Sequence, residues 1–479
     1  MSARKPYRSR SSSKPAGRKS NSQGNYQRHR KPTTNNAISF EALADLRQRW
    51  LTANEDTPQP LDRWLKHVHQ DKTQTQQQRW LLNSAMIQAS RFQQLAQALE
   101  DQFFQDEMID WQQWDNQWSQ KKLNAINDES FWYWIGLHCG GQWLKSRHDL
   151  SKTNLRDTSY RERLYAALRE EALEQPLSPL WLLWHGIRPQ WLPLLKQRAQ
   201  QSGWDDKQLQ RFIRKQNDFP PLWLRTAVDA DLSALEQSLQ QQGIDAQLKH
   251  INGDTMLAAY GGKAVQTAEE YQQGQFEIQD LASQQIAAAV AAKPGDKVWD
   301  ACAGAGGKSL AIASRLAGKG SVTATDLHSF KLDELKRRAK RAQIQNIRSF
   351  SWDGSDALRL PAEIKKQQGF DWVLIDAPCT SAGTWRRNPD ARWRFNGNDT
   401  QRQVELQQQI LQHACKAVRP GGQLVYATCS WQLAENEQQI EHFLQQHPEF
   451  ELLEQCMLGA PDDDADCMFY ARLQRRIQP

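Results

Sequence analysis

The sequence predicts an α/β protein whose C-terminal half forms a doubly wound, mostly parallel sheet, preceded by a small α/β unit and an N-terminal helical region. Three observations predict this fold. From Phe276 onward, short apolar runs alternate with loops and amphipathic stretches, as in parallel sheets covered by helices. Between Phe40 and Asn217 apolar residues recur three and four positions apart, which is the helical period. The Pro220-Pro221 pair separates the two regions.

Composition and periodicity divide the chain into four expected segments. At 479 residues the sequence is longer than one ordinary domain, so two or three folded domains are expected. We expect a disordered basic arm at 1–37, a Trp-rich helical domain at 38–217, a small α/β subdomain at 218–272 and the sheet domain at 273–479.

The first 37 residues carry ten Lys or Arg and no acidic residue, within a net charge of +6 for the whole chain. They contain almost nothing apolar to bury, so we expect them to be disordered. The segment is either a solubilising tail or an arm that contacts a nucleic acid. Its arginines with Tyr7 and Tyr26 can stack on bases and favour the arm.

The helical region is dense in tryptophan, which allows two interpretations. Tryptophans at helical spacing pack a core, whereas tryptophans on a surface can stack on bases. The spacings here are helical, as in Trp111, Trp114 and Trp118. Core packing is therefore the prediction.

Local patterns assign elements in both α/β units. In the small subdomain we expect strands at 222–226 and 255–259 and a helix at 232–241. In the sheet domain, apolar runs predict strands that end at Asp300, Asp326, Trp352, Asp376 and Thr428. The helices expected between these strands lie at 309–316, 331–342 and 400–418.

The composition excludes several classes of protein. No apolar run approaches the roughly 18 residues of a membrane span, and the polar, basic N-terminus is not a signal peptide. Seven cysteines stand singly, with no CxxC pair, which argues against a disulfide framework and a zinc site. We expect a cytoplasmic, monomeric protein that binds no membrane and no metal.

The first strand of the sheet domain leads into a loop of small residues that suits a cofactor. The loop reads Cys302-Ala303-Gly304-Ala305-Gly306-Gly307-Lys308, and such a loop lets a ligand approach the backbone closely. It lacks the GxxxxGK(S/T) spacing of a triphosphate-binding loop and the GxGxxG spacing of a dinucleotide site. A phosphate-free nucleoside cofactor is therefore favoured.

Acidic residues follow the next two strands. Asp326 ends the second strand, at the distance of about 20 residues where a carboxylate can accept both ribose hydroxyls of an adenosine ligand. Asp353 follows the third strand and could accept from an adenine amino group. S-adenosylmethionine contains ribose and adenine but no phosphate, so it is the cofactor that fits best.

The fourth and fifth strands each lead to a cysteine. Asp376-Ala377-Pro378-Cys379 follows one strand and Cys429 follows the other, and we expect these strands to be neighbours. Carbon 5 of cytosine is too electron-poor to attack a methyl sulfonium until a nucleophile adds to carbon 6, and a thiolate suits that addition. Asp376 could hydrogen-bond N3 or the exocyclic amine as charge develops.

These motifs resemble those of the Sun/RsmB-like (NOP/Sun) family of S-adenosylmethionine-dependent RNA cytosine-5 methyltransferases. The resemblance runs roughly from Pro220 to the C-terminus and rests on the segments 276–280, 302–308, 376–379, 384–390, 426–430 and 435–436. It implies a Rossmann-like class I methyltransferase domain at 273–479 and an RNA-binding subdomain before it. It also implies RNA as the partner, with ribosomal RNA favoured and tRNA the alternative.

The resemblance implies roles for individual residues. The nucleophile is Cys429, Cys379 assists release of the product, and Asp326, Asp353, Asp376 and the 302–308 loop contact the cofactor. The chain has Gly304-Ala305-Gly306-Gly307-Lys308 where the family commonly has Ala-Pro-Gly-Gly-Lys. Loss of proline should loosen the loop without removing its backbone donors.

Rival functions can be stated from the same residues. A noncatalytic RNA-binding or ribosome-assembly factor could keep this fold, but the presence of both thiols with Asp376 argues against it. A methyltransferase acting on DNA or on another base is a second rival. Adenine methylation would need no nucleophile such as Cys429.

A basic, aromatic run follows the first thiol. It comprises Trp385-Arg386-Arg387 with Arg392 and Trp393. The run is either a salt-bridged surface loop or a contact to the substrate backbone, and its place after Cys379 favours the substrate contact.

Overall fold

A computed structural model of the chain describes residues 38–55, 59–68, 74–119, 125–140, 155, 157–227, 229–251, 253–261 and 264–477. The basic arm predicted at 1–37 lies outside these residues. In the described residues, helices come first and are followed by a four-stranded sheet and then a seven-stranded sheet. This is the predicted α/β architecture.

The described part of the N-terminal region is helical. Its helices are α1 (Phe40–Glu55), α2 (Leu61–Val68), α3 (Gln76–Phe103), α4 (Trp111–Gln117), α5 (Asp128–Cys139), α6 (Thr158–Glu174), α7 (Pro179–Trp184), α8 (Leu192–Gln201) and α9 (Asp206–Lys215). Capping boxes form at α3 between Thr75 and Gln78 and at α9 between Asp205 and Gln208. They satisfy amides that the first helical turn leaves without intrahelical partners.

Tryptophan side chains fill the core of this region. Trp132, Trp134 and Trp181 are fully buried, and aromatic rings of this size bury a large apolar area each. The prediction that these tryptophans pack a core is confirmed for those three.

The small sheet follows the helices. Its elements are β1 (Leu222–Thr226), α10 (Leu232–Gln241), β2 (Asp245–Ile251), β3 (Asp254–Tyr260), α11 (Glu269–Gln272) and β4 (Phe276–Ile278). The strands lie in the antiparallel order β2-β3-β1-β4. The last strand follows the boundary expected at residue 272 but pairs with β1, so Phe276 to Ile278 complete the small sheet.

The large sheet alternates with helices. Its elements are α12 (Leu281–Ala289), β5 (Lys297–Asp300), α13 (Gly307–Arg315), β6 (Ser321–Asp326), α14 (Ser329–Arg341), β7 (Ile347–Ser351), α15 (Ala362–Lys366), β8 (Phe370–Asp376), α16 (Ala391–Arg394), α17 (Gly397–Ala414), β9 (Val418–Thr428), α18 (Glu437–Gln446), β10 (Phe450–Leu458) and β11 (Met468–Arg475).

The strand order of this sheet is β10-β11-β9-β8-β5-β6-β7. The strands from β9 to β7 are parallel, whereas β10 and β11 are antiparallel additions at one edge. The predicted doubly wound, mostly parallel sheet is thus confirmed. Parallel pairing brings the carboxyl ends of β5, β6, β8 and β9 to one edge, where ligands bind in such sheets.

An aromatic cluster joins the helical region to the large sheet. Trp191 packs against Trp385 at 5.0 Å between ring centroids and against Phe395 at 5.3 Å. Beside it, Arg198 of α8 forms two 2.7 Å hydrogen bonds to the Glu437 carboxylate of α18. The N-terminal helices are therefore packed against the loops that follow β8 and β9.

Candidate active site

The carboxyl ends of β8 and β9 carry the two candidate thiols. The strands run side by side in parallel, with Asp376 opposite Ala427, so the predicted adjacency is confirmed. The loops that follow bring Cys379 and Cys429 together, and their Sγ atoms lie 3.2 Å apart. At this separation one proton can bridge the two sulfur atoms.

The surroundings of the pair favour the thiolate on Cys429. A hydrogen bond from the Cys379 thiol lowers the pKa of Cys429, and the Ser381 hydroxyl, 3.5 Å from its Sγ, also lowers it. The same hydrogen bond and burial raise the pKa of Cys379. Cys429 is thus the better nucleophile, because the thiolate is the reactive form, and Cys379 keeps its proton.

The loop after Cys379 is held tightly against Cys429. Ser381 adopts a left-handed backbone conformation with φ of 57°, which non-glycine residues rarely adopt and which often marks functional sites. A Cβ atom at Gly383 would lie 1.7 Å from the carbonyl oxygen of Cys467, so only glycine fits there. The Gly383 amide donates to the Cys429 carbonyl at 2.9 Å. Sequence reasoning did not single out Ser381 or Gly383.

A buried carboxylate anchors the same loop. Glu435 is fully buried, and it accepts hydrogen bonds from the Thr380 amide at 2.8 Å and the Thr380 hydroxyl at 2.6 Å. It also accepts from Gln407 at 3.2 Å and Gln432 at 3.0 Å. Glu435 therefore fixes the residue next to Cys379. Glu435 belongs to a segment on which the family resemblance rests, but the resemblance implied no role for it.

Lys308 and Asp376 form an ion pair beside the thiols. Lys308 Nζ lies 2.7 Å from Asp376 Oδ2, with 8% of the Lys308 side chain and 29% of the Asp376 side chain exposed. Burial disfavours the ammonium, but the Asp376 carboxylate outweighs it and raises the pKa of Lys308. The pair places a fixed positive charge and a reachable carboxylate at the sheet edge.

The loop at 302–308 connects β5 to α13. Gly306 has a φ of 85°, and a Cβ atom there would lie 2.5 Å from Leu335 Cγ, so this turn requires glycine. At Gly304, with φ of 54°, no atom lies within 4 Å of a Cβ position. The backbone at Gly304 is therefore open to an approaching ligand.

Neighbouring elements fix the rest of this loop. The Ala303 amide donates to the Thr325 carbonyl at 2.8 Å, and Arg338 donates to the Ala305 carbonyl at 2.9 Å. Gly307 begins α13, and burial raises the pKa of the Cys302 thiol. Cys302 is thus a weak nucleophile.

Asp326 lies at the end of β6, against the same loop. Its Oδ2 accepts from the Gly304 amide at 3.0 Å, and its Oδ1 accepts from the His328 amide at 2.8 Å. The Lys331 ammonium lies 3.5 Å from Oδ1. Each carboxylate oxygen can accept more than one hydrogen bond, so Asp326 can shape the loop and still accept from a ligand.

Asp353 lies in the loop after β7 and is exposed. Its Oδ1 accepts hydrogen bonds from the Ser355 amide at 3.0 Å and from the Ser355 hydroxyl at 2.7 Å. Both lower the pKa of Asp353, and the hydrogen bond from the amide is the larger cause. The neighbouring Trp352 amide donates to the Asp326 carbonyl at 3.3 Å. The structure therefore brings Asp353 to the same strand-end edge as Asp326.

Asp300 is a further acidic residue of this edge that the sequence analysis did not select. It ends β5, accepts from the Ser309 hydroxyl at 2.6 Å, and is almost fully buried. Burial raises its pKa to about 7, with the nearby Asp376 adding to the effect. Its position at a strand end immediately before a glycine loop is the sequence signal that could have identified it.

The basic run after Cys379 does not face a substrate, which corrects the prediction made for it. Arg392 is fully buried and donates to the carbonyls of Gly186 and Gln216. Arg386 is also buried and bonds to the Asp464 carboxylate. These arginines attach the loop to the helical region and the C-terminal segment. The same loop also carries buried Trp385 and the ion pairs of Arg387 with Asp280 and Asp466.

The described residues contain no group of three or more His, Cys, Asp or Glu side chains that could hold a metal ion. Among the helices described, none is long and apolar enough to cross a membrane.

Comparison with known proteins identifies relatives of this chain. A family described as 16S rRNA methyltransferase RsmB/F matches residues 287–474. The Ribosomal RNA small subunit methyltransferase B of Yersinia pseudotuberculosis is 32% identical over 300 residues, which cover 61% of this chain and 67% of that protein. The Probable ribosomal RNA small subunit methyltransferase B of Bacillus subtilis is 35% identical over 222 residues, covering 46% of this chain and 48% of that protein.

The match to the Bacillus relative therefore spans about half of that protein's length. Among solved structures, that of PH0851 aligns with a TM-score of 0.58 and 22% identity, covering 84% of this chain and 91% of that one. This likeness supports the fold.

Proposed function

The chain belongs to the RsmB/F family of rRNA methyltransferases, and from this premise we propose that it makes 5-methylcytosine in small-subunit ribosomal RNA. The observation that carries the proposal is the pair of thiols, with Cys379 Sγ and Cys429 Sγ 3.2 Å apart. Methylation at C5 of a pyrimidine calls for a covalent nucleophile, whereas methylation of an adenine amine does not.

Cys429 is the proposed nucleophile. Its thiolate adds to C6 of cytosine while N3 takes up a proton from solvent, and the ring becomes an enamine whose C5 can attack an electrophilic methyl group. The lowered pKa of Cys429 supports this role, because a larger fraction of the thiol is then ionised near neutral pH. The Ser381 hydroxyl can donate to the thiolate before addition.

Lys308 and Asp376 are proposed to orient the base. The partly exposed Asp376 carboxylate can accept a hydrogen bond from the exocyclic amine of cytosine, and Lys308 keeps that carboxylate ionised and in place through the 2.7 Å ion pair. A carboxylate fixed beside the ring holds the base for addition at C6, and it stabilises the positive character that the amine gains when C5 attacks the methyl group.

Cys379 is proposed to act in the second half of the reaction. Its raised pKa is caused first by the hydrogen bond to Cys429, and conversion of Cys429 to a thioether removes that cause. Cys379 can then release its own proton to solvent, and its thiolate takes up the proton from C5. The C6–S bond breaks, its electron pair returns to Cys429, N3 returns its proton to solvent, and the aromatic ring is restored.

S-adenosylmethionine is the methyl donor of this family, and the residues at the edge of the sheet fit it. The open backbone at Gly304 and the buried Asp326 carboxylate suit the ribose, and Asp353 suits the adenine. None of the described residues donates a hydrogen bond of ordinary geometry to Asp300 Oδ1. This oxygen can therefore accept one from the ammonium group of S-adenosylmethionine. When bound, S-adenosylmethionine supplies an electrophilic methyl group on sulfur.

Ribosomal RNA is the proposed substrate because the Yersinia and Bacillus relatives are both named as ribosomal RNA small subunit methyltransferases. A tRNA cytosine is the alternative. The predicted arm at 1–37 would add electrostatic attraction to either RNA.

Bisulfite sequencing of total RNA from cells with and without the gene tests this function. We expect one or more small-subunit rRNA cytosines to lose methylation in the deletion strain. The intact gene should restore it and the Cys429→Ala variant should not. Loss confined to tRNA cytosines would reassign the substrate, and restoration by Cys429→Ala would indicate a noncatalytic role.

A further inference from the structure

A cleft of about 650 Å³ lies between the helical region and the large-sheet region, and its volume falls in the range of small-ligand sites. Arg188, Gln190, Trp191 and Leu194 form one wall. The opposite walls come from the start of α17 and from the segment 432–442. The N-terminal helices thus build part of a site that the proposed methyl transfer does not use.

The cleft borders the thiol site at Gln432. Gln432 lines the cleft, and its amide nitrogen donates to Thr380 Oγ1 at 3.0 Å. Thr380 follows Cys379 directly, and Gln432 is three residues after Cys429. The cleft lining therefore contacts the residue next to Cys379.

The lining of the cleft is rich in side-chain amides. They are Gln190, Asn396, Gln401, Gln408, Gln432, Gln438 and Gln439. Among the described residues that line it there is no Asp or Glu, so a polyanion meets no carboxylate there. Amides offer a donor and an acceptor side by side, which is the complement of a nucleobase edge.

Two of these amides are available to a ligand. The side chains of Gln408 and Gln438 make no hydrogen bond with any other described residue. Trp191 and Phe395 add apolar wall to the same cleft. The arginine of the described lining, Arg188, is already paired with Asp115 at 2.8 Å. The amides beside aromatic rings therefore fit an unstacked base better than they fit a phosphate or a charged peptide.

We propose that this cleft binds the base of an unpaired RNA nucleotide adjacent to the target cytosine, with Gln408 and Gln438 as its hydrogen-bonding residues. The inference rests on the proposed function for the identity of the ligand as RNA. It assigns the helical region a direct part in recognising the sequence around the target.

The proposal is tested with the full-length protein by combining a change in the protein with a change in the RNA and comparing their separate and joint effects on affinity. The variant is Gln408→Leu/Gln438→Leu, which removes both amides at similar side-chain size. The control is Gln412→Leu, on an exposed position one turn further along α17 and outside the cleft. The probe is a short single-stranded RNA with one cytosine, intact or with an abasic site immediately before or after that cytosine. Fluorescence anisotropy measures the dissociation constants.

In the wild-type protein and the control, one of the two abasic sites should weaken binding about tenfold, because the hydrogen bonds to the missing base edge are lost. The cleft variant should bind the intact RNA about tenfold more weakly than the wild type. Its affinity for the abasic RNA should equal its affinity for the intact RNA. Its affinity for S-adenosylmethionine and its melting temperature should equal those of the wild type.

Equal affinity of wild type and variant for the intact RNA would overturn the inference, as would an undiminished abasic effect in the variant. Formation of 5-methylcytosine by the wild-type protein is measured separately. A protein that methylates cytosine but shows no coupling between the two changes would keep the proposed function and lose the cleft assignment. Coupling without methylation would support the cleft and contradict the function.

Discussion

Cys379 and Cys429 are 50 residues apart in the chain, yet their sulfur atoms lie 3.2 Å from each other. Parallel pairing of β8 with β9 produces this proximity, because it carries both strands to the same edge of the sheet. The hydrogen bond between the sulfurs lowers the pKa of Cys429. The reactivity of Cys429 therefore depends on its partner.

The first prediction concerns that dependence. Cys379→Ala removes the donor, so the pKa of Cys429 should rise and its alkylation should require higher pH. Iodoacetamide labelling followed by mass spectrometry of the Cys429 peptide measures the midpoint. Cys456→Ala, at an exposed cysteine, is the control. An unchanged midpoint in Cys379→Ala would show that the thiols do not interact.

Asp326 should support cofactor binding. Asp326→Ala should weaken S-adenosylmethionine binding by about 1.5–3 kcal/mol, because hydrogen bonds to a charged group are lost. Asp326→Asn should lose less, since it keeps an acceptor for the Gly304 amide. Calorimetry measures both, with Asp333→Asn on the exposed side of α14 as the control. A folded Asp326→Ala variant with wild-type affinity would contradict the assignment.

Asp300 should make stability depend on pH. Its pKa of about 7 in the folded protein lies above its pKa in the unfolded chain. At pH values between these two pKa values, the folded state holds a proton on Asp300 that the unfolded state releases. Its contribution to stability therefore falls as pH rises through this window and is lowest above about pH 7. Relative to wild type, Asp300→Asn should gain roughly 2–3 kcal/mol between about pH 5 and about pH 8.

Urea denaturation at several pH values measures this difference. A difference in unfolding free energy that is the same at every pH would show that Asp300 is already ionised at low pH in the folded protein. Asp333→Asn, at an exposed carboxylate, should show no comparable trend.

The ion pair between Arg198 and Glu437 should hold the helical region on the sheet region. Both side chains are buried, so Arg198→Met alone leaves an unpaired buried carboxylate and should cost about 3–5 kcal/mol. The double variant Arg198→Met/Glu437→Leu should be less destabilised than Arg198→Met. Arg402→Met, at an exposed ion pair, should cost under about 1 kcal/mol. A double variant with a lower free energy of unfolding than Arg198→Met would contradict this account.

Much of the fold could be predicted because its signals are local. Runs of apolar residues with clear boundaries predict the strands at 222–226, 297–300 and 321–326 and the helix at 232–241. The hairpin of β10 and β11 was not predicted, because an antiparallel pair appended to a parallel sheet breaks the alternation on which the prediction relied. The strand Phe276–Ile278 is too short for its partner to be read from sequence.

The site divides in the same way. Residues after strand ends, such as Asp376 and Cys379, could be selected because topology gathers strand ends. The orientation of Arg386 and Arg392 could not be selected, because their burial depends on where the N-terminal helices pack. Ser381 and Glu435 act through contacts with residues far along the chain, which no local pattern reveals.

The central claim is that Cys429 forms, and Cys379 helps to resolve, a covalent bond to cytosine. The most direct measurement is denaturing electrophoresis of wild type, Cys379→Ala, Cys429→Ala and the double variant after incubation with RNA and S-adenosylmethionine. Cys379→Ala should accumulate a protein–RNA species that nuclease removes, and neither Cys429→Ala nor the double variant should form it. An adduct in Cys429→Ala that is lost in Cys379→Ala would reverse the roles, and methylation by both single variants without any adduct would contradict the covalent mechanism.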